Sequence, residues 1–147
     1  MLLYIIGGHD SISSQYHDTV YIVDIGTKQC HEGPRLNHSR NFHSATLLGS
    51  TIYVVGGQDS SRELDSIERL NAGAGESSWE IFTVPGLSAR SGTLLSPLND
   101  TELLIAGGYC GDRLSDFIVL DTENKQAHSL NVLGAFKFQC TDRAVMT

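Results

Sequence analysis

Residues Leu3-Tyr4-Ile5-Ile6-Gly7-Gly8 form a short apolar run that ends in two glycines. The same pattern returns twice, as Ile52-Tyr53-Val54-Val55-Gly56-Gly57 and as Leu103-Leu104-Ile105-Ala106-Gly107-Gly108. The second glycines of the three pairs follow one another at intervals of 49 and 51 residues. A near-constant interval of this kind indicates a repeat protein.

The repeat extends beyond the glycines. Residues 18–24 (DTVYIVD) are echoed by residues 65–71 and 115–121, and an arginine stands ahead of the second and third apolar runs, in Arg40-Asn41-Phe42-His43-Ser44-Ala45 and Arg90-Ser91-Gly92-Thr93. The runs are nearly continuous in apolar residues, which is typical of strands covered on both faces. A period of roughly 50 residues without a helical pattern is typical of radial all-β repeats, whose blades hold about four strands each.

These residues resemble the kelch repeat. In that repeat an arginine precedes strand a, two glycines end strand b, an aromatic residue and an aspartate close strand c, and a tryptophan lies on strand d. The chain departs from the pattern in two ways: Val23, Leu70 and Leu120 replace the aromatic residue, and Trp79 has Cys30 and Ala127 as its counterparts. The resemblance implies an all-β, kelch-type β-propeller, in which Gly7, Gly8, Gly56, Gly57, Gly107, Gly108 and Trp79 are the structural repeat residues.

The repeat predicts one propeller segment over residues 1–147, with units at about 1–40, 41–89 and 90–142 and the start of a further strand at 143–147. This makes three blades of four antiparallel strands, whereas closed propellers typically need at least about four blades. We therefore expect an open or partial ring. Either the remaining blades belong to a longer parent chain, or the last strand of one copy completes the first blade of a second copy.

The net charge and the cysteine content indicate which classes of partner and which cellular compartment the chain favours. The net charge of −7 and the pI near 5.2 argue against nucleic acid, which normally needs a basic face. The longest apolar run, residues 1–6, is too short to cross a bilayer, so no membrane role is predicted. The three cysteines, Cys30, Cys110 and Cys140, include no C-x-x-C pair, which favours a reduced, cytoplasmic setting.

The meander places two sets of loops at one end of the blades, because strands b and d run in the same direction. The b–c loops (9–18, 58–65, 109–116) and the d–a loops (33–43, 85–91, 134–143) contain six of the seven arginines. Guanidinium groups pair well with carboxylates and phosphates. The binding residues predicted for an acidic or phosphorylated peptide segment are Arg35, His38, Arg40, Arg62, Arg90 and Arg113. Alternatively, the arginines neutralise neighbouring acids and hold the loops in place.

A protein–protein interaction module, serving as a scaffold or substrate adaptor, is the leading functional interpretation. The alternative is a propeller enzyme acting on a carbohydrate-like small molecule, of the galactose oxidase or sialic acid mutarotase type. The histidines do not show the spacing of a zinc site, and Tyr109-Cys110 is only a sequence neighbour pair. No catalytic triad or phosphate-binding motif is evident either. We therefore predict a chain without catalytic activity, metal or cofactor.

Overall fold

The computed structural model describes residues 1–74 and 78–133. The predicted strand at 143–147, the loop at 134–143 with Arg143, and Cys140 lie outside the described residues. Within the described ranges the chain contains eleven strands and no helix. The strands are β1 (Leu2–Asp10), β2 (Gln15–Asp24), β3 (Gln29–Glu32), β4 (Ser44–Leu48), β5 (Thr51–Val55), β6 (Ile67–Asn71), β7 (Glu80–Phe82), β8 (Leu94–Pro97), β9 (Glu102–Tyr109), β10 (Arg113–Asp121) and β11 (Gln126–Ser129).

The strands form three antiparallel sheets, one for each repeat. Their orders are β1-β2-β3, β4-β5-β6-β7 and β8-β9-β10-β11, so each sheet is a simple meander. We refer to them as the first, middle and last blade. The all-β architecture predicted from the sequence, with three blades of a partial propeller, is confirmed.

Apolar packing joins the blades in sequence, and the middle blade is covered on both faces. Along β5, Ile52 and Val54 pack towards the first blade, in a cluster with Val20. Tyr53 and Val55 pack towards the last blade, in a cluster that includes Leu103 and Ile105. Successive residues of a strand point to opposite faces, so a continuous apolar run supplies both interfaces.

The glycine pairs end strand b only in the middle blade. β5 stops at Val55, whereas β1 and β9 continue past their glycines to Asp10 and Tyr109. The reason is the length of the following loop. Only residues 11–14 and 110–112 separate strands b and c in the outer blades, so those hairpins stay paired, while residues 56–66 form a longer loop in the middle blade.

Gly56 shows why a glycine is needed at this point. Its φ of 64° lies in the left-handed region, and a Cβ atom there would collide with the backbone carbonyl oxygen of Arg90. The first glycine of each other pair, Gly7 and Gly107, has a φ of 58°. A side chain at Gly56 would therefore force apart the middle blade and the loop that leads to the last blade.

Candidate functional site

The b–c loops and the loops that connect successive blades meet at one end of the sheets. Gly8 N–H donates to the carbonyl oxygen of Arg40 at 2.8 Å, and Gly57 N–H donates to that of Arg90 at 2.8 Å. Asn41 and Gln58 exchange two backbone hydrogen bonds, of 2.9 and 2.8 Å. We call this end of the molecule the loop face; its described segments are 9–18, 33–43, 58–65, 85–91 and 109–116.

Arg40 lies beneath the loop face and is fully buried. Its guanidinium donates to the carbonyl oxygen of Gly56 at 2.8 Å, to Ser66 Oγ at 3.2 Å and to Glu68 Oε1 at 2.6 Å. Burial lowers the pKa of Arg40, and the carboxylate of Glu68 opposes that shift. The arginine therefore joins the loop after the first blade to strands b and c of the middle blade.

Glu68 collects further hydrogen bonds from the same loop. Its carboxylate accepts from the backbone N–H of Asn37 at 2.7 Å, from Asn37 Nδ2 at 2.9 Å and from the backbone N–H of His38 at 3.0 Å. Trp79, which is buried, donates its indole N–H to the carbonyl oxygen of Pro34 at 2.8 Å. The loop between the first two blades is thus fastened to β6 and to the residue just before β7 of the middle blade.

Arg90 makes the corresponding connection to the last blade. It is fully buried, and its two terminal nitrogens contact the two carboxylate oxygens of Asp116 at 3.0 and 2.9 Å. It also donates to the carbonyl oxygen of Gly107 at 3.1 Å and to Ser88 Oγ at 2.7 Å. Both buried arginines thus reach the first glycine of the next blade's pair.

These positions separate Arg40 and Arg90 from the other residues in the predicted binding set. A fully buried guanidinium whose donors serve its own chain is not available to a partner, so we assign both residues to joining the blades. The alternative interpretation of the sequence, that arginines hold the loops in place, describes these two. The charge pattern could not reveal this because Glu68 and Asp116 become their partners only when the blades stack.

The comparison with known families agrees with the geometry. Residues 1–146 match the family model described as the KLHDC2/KLHL20/DRC7 Kelch-repeats domain. This chain belongs to the kelch-repeat family. The resemblance predicted from the glycine pairs and the arginines is therefore confirmed.

Two curated kelch proteins are similar to parts of the chain. Kelch-like protein 36 of Bos taurus is 36% identical over 69 residues, which are 47% of this chain and 11% of that protein. The F-box/kelch-repeat protein At4g39580 of Arabidopsis thaliana is 31% identical over 84 residues, which are 57% of this chain and 21% of that protein. The matched part is a minor share of both relatives. Kelch repeats generally mediate protein–protein interaction.

Four members of the predicted binding set remain exposed on the kelch loop face. Arg35 forms ion pairs with Asp18 at 3.0 Å and with Glu32 at 2.6 Å, and its hydrogen bond to Glu32 raises its pKa. His38 is half-exposed, with Nδ1 3.7 Å from Glu68 Oε1. The guanidinium of Arg35 is therefore already paired within the chain, and the imidazole of His38 lies beside the buried carboxylate of Glu68.

Arg62 and Arg113 differ from the others because their guanidinium groups are unoccupied. Both residues are exposed, and no hydrogen bond or ion pair of either guanidinium occurs within residues 1–74 and 78–133. Asp59 holds the Arg62 loop by accepting from the backbone N–H groups of Ser61 and Arg62 at 2.7 and 2.9 Å. The hydrogen bond from Ser61 is the largest cause of the lowered pKa of Asp59. The chain thus presents two ordered guanidinium groups without a hydrogen-bond partner among the described residues, and the charge of Arg62 also contributes to the lowered pKa of Asp59.

A pocket of about 270 Å³ opens beside Arg62 and His38. Leu64, Phe82 and Leu87 supply its apolar wall. The sequence interpretation missed this pocket because its lining comes from three separate segments.

Phe42 is a second feature that the sequence interpretation missed. It is 60% exposed on the loop face and has a φ of 53°. Its counterpart in the last blade is Gly92, with a φ of 60°. A residue-by-residue comparison of the two units would have shown a phenylalanine in one and a glycine in the other.

Metal sites and membrane-spanning helices are absent from the described part of the chain. Residues 1–74 and 78–133 contain no group of three or more His, Cys, Asp or Glu side chains placed to hold a metal ion. The same ranges contain no helix long and apolar enough to span a membrane.

Proposed function

We propose that this chain binds a protein partner through its loop face and that it recognises an acidic peptide segment. The observation that carries the proposal is the pair of exposed, unoccupied guanidinium groups of Arg62 and Arg113. Planar guanidinium groups form two parallel hydrogen bonds with a carboxylate. Arg62 lies in the b–c loop of the middle blade, and Arg113 is the first residue after the b–c loop of the last blade, so a partner lying across both loops can meet both charges.

The internal use of the acidic residues supports this assignment even though the net charge is −7. Asp18, Glu68 and Asp116 already pair with Arg35, Arg40 and Arg90. Asp10 accepts from the backbone N–H of Ile12 at 2.8 Å, and Asp59 accepts within its own loop in the same way. These carboxylates make hydrogen bonds to other groups of the chain, so the donors of Arg62 and Arg113 stay available. Glu63, Asp65 and Asp112 add negative charge to the same loops.

Charge reversal tests the proposal directly. An array of immobilised peptides with matched acidic, phosphorylated and basic segments is probed with the wild-type chain and with the Arg62→Glu and Arg113→Glu variants. We expect retention on acidic peptides that falls at least about tenfold for each variant, the loss of a charge-assisted contact. Lys28→Glu is the matched control, since Lys28 is exposed in the β2–β3 turn at the opposite end of the blade.

Three outcomes of this experiment decide whether the loop face binds acidic peptides. Loss of binding in the arginine variants but not in Lys28→Glu supports the acidic-peptide site. Equal loss in all three variants indicates an effect of net charge alone and contradicts it. Unchanged binding in both arginine variants also contradicts it.

The wider role is proposed at the level of the whole protein. We propose that the interaction module acts as a scaffold or substrate adaptor without catalysis, in a reduced cytoplasmic setting, with the remaining blades supplied by a parent chain or a second copy. The exposed free thiols of Cys30 and Cys110 support a reducing compartment.

A further inference from the structure

Phe42 has a backbone conformation that favours glycine. Its φ of 53° lies in the left-handed region, where a bulky residue is a rare and strained choice. The equivalent residue of the next blade, Gly92, adopts a φ of 60° without this strain. The fold therefore does not require a side chain here.

Packing does not explain the phenylalanine either. Its side chain is 60% exposed, so most of its apolar surface faces solvent and contributes little to the core. The covered part of the ring only offsets the backbone strain, so stability alone gives little reason for a phenylalanine here instead of glycine. A phenylalanine at this position is explained if its ring contacts a protein partner, because aromatic residues act as anchors at protein interfaces.

A continuous path of backbone pairing links Phe42 to both free arginines. On one side, Asn41 pairs with Gln58, which also pairs with Glu63 in the Arg62 loop. On the other side, Gly92 N–H donates to the carbonyl oxygen of Phe42 at 2.8 Å. The neighbouring Ser91 pairs with Tyr109 through two bonds of 2.9 Å.

Tyr109 connects this path of backbone pairing to Arg113. It is the direct cross-strand partner of Arg113, so the two side chains lie on the same side of the sheet. Tyr109 is 38% exposed, and Gly92, which lies between it and Phe42, has no side chain to cover either ring. Along this path of backbone pairing, the two exposed aromatic residues therefore lie between the Arg62 loop and Arg113.

From this arrangement we propose that Phe42 and Tyr109 form an aromatic anchor site for one apolar side chain of a partner's peptide segment, flanked by acidic residues that face Arg62 and Arg113. The two guanidinium groups determine the occupant: an apolar segment without acids would leave both of them unpaired, and a basic segment would offer them no side-chain acceptor. This inference rests on the proposed function and adds the apolar residue and the aromatic contact to it.

Peptide selection tests the inference with random sequences in place of a chosen partner. A phage-displayed library of random dodecapeptides is selected on the immobilised chain, and the enriched peptides are measured against the Phe42→Gly, Phe42→Asn and Lys28→Gly variants. Asparagine tolerates the left-handed conformation, so Phe42→Asn serves as a second test of the ring. Lys28 has a φ of 59° in the β2–β3 turn, so Lys28→Gly relieves the same backbone strain away from the loop face.

The expected result is enrichment of peptides in which an apolar residue lies between aspartates or glutamates. Their affinity should fall at least about tenfold in both Phe42 variants and stay unchanged in Lys28→Gly. The melting temperature of Phe42→Gly should stay close to that of the wild type, because relief of the backbone strain offsets the lost burial of the ring; the loss of affinity is then one of contact and not of folding.

Other outcomes overturn the inference in distinguishable ways. If the selected peptides bind the Phe42 variants as well as the wild type but lose affinity for Arg62→Glu, the anchor is wrong and the acidic-peptide function stands. If Phe42→Gly melts well below the wild type, the residue is structural and the inference fails. If no acidic peptides are enriched, both the anchor and the proposed function fail.

Discussion

Replacing Glu68 by alanine should destabilise this protein much more than replacing Asp116 by alanine, although each acid pairs with a buried arginine. The Arg40 and Glu68 side chains are both 0% exposed, so Glu68→Ala leaves a guanidinium without a counter-ion in the interior. Breaking a buried pair in this way typically costs about 3–5 kcal/mol. It also removes the acceptor for the backbone N–H groups of Asn37 and His38.

Asp116 differs because water already reaches it. Its side chain is 39% exposed, whereas Arg90 is 0% exposed. Solvent can replace the lost carboxylate at the outer side of the pair, so we expect a cost of only about 1–2 kcal/mol for Asp116→Ala. For a chain of 147 residues, each kcal/mol shifts the melting temperature by roughly 3 °C.

Thermal unfolding followed by far-UV circular dichroism, with urea unfolding as a second measure, compares the two variants. We expect a drop of roughly 10 °C for Glu68→Ala and about half of that or less for Asp116→Ala. The Arg40→Met/Glu68→Ala double variant should recover part of the loss, because no charge is then left buried alone. Equal losses in the two single variants, or a double variant no more stable than Glu68→Ala, would refute this reasoning.

Two further predictions concern the blade junctions. Gly56→Ala should lower the free energy of unfolding by at least about 2 kcal/mol, because the new Cβ collides with the Arg90 carbonyl oxygen and the φ is unfavourable for alanine. Gly49→Ala is the control: its φ is 59° but the space around it is open, so it should cost only about 1 kcal/mol in the same urea titration. Burial lowers the pKa of His43 to about 4. Between pH 6.5 and pH 4 the imidazole is therefore protonated in the unfolded chain but neutral in the folded one. The free energy of unfolding must fall as the pH falls through that window. Unfolding measured from pH 7 to 4 should show this loss, and His43→Gln should flatten it; an equal slope in both proteins would contradict the assignment to His43.

Comparison of particular residues shows how far the sequence can be interpreted. The three glycine pairs and the apolar runs before them were enough to predict an all-β repeat of the kelch type, since strand period and positive-φ glycines are local properties. The same local signals could not assign the six binding candidates. Arg40 stands at a repeat position and Arg62 does not, but residue type and charge gave both the same role; the structure buries Arg40 against Glu68 and leaves Arg62 exposed, without a hydrogen-bond partner for its guanidinium in the described part of the chain.

The amino-acid sequence alone determined the repeat, the strand content and the end of the blades at which the b–c and d–a loops meet, because each follows from short local motifs and their recurrence along the chain. Only the tertiary structure decided which charges are used internally and which face solvent, because Glu68 and Asp116 reach their arginines across 28 and 26 residues when neighbouring blades stack. The exposure of Phe42 was decided in the same way, since it depends on Gly92 from the next blade lying beside it.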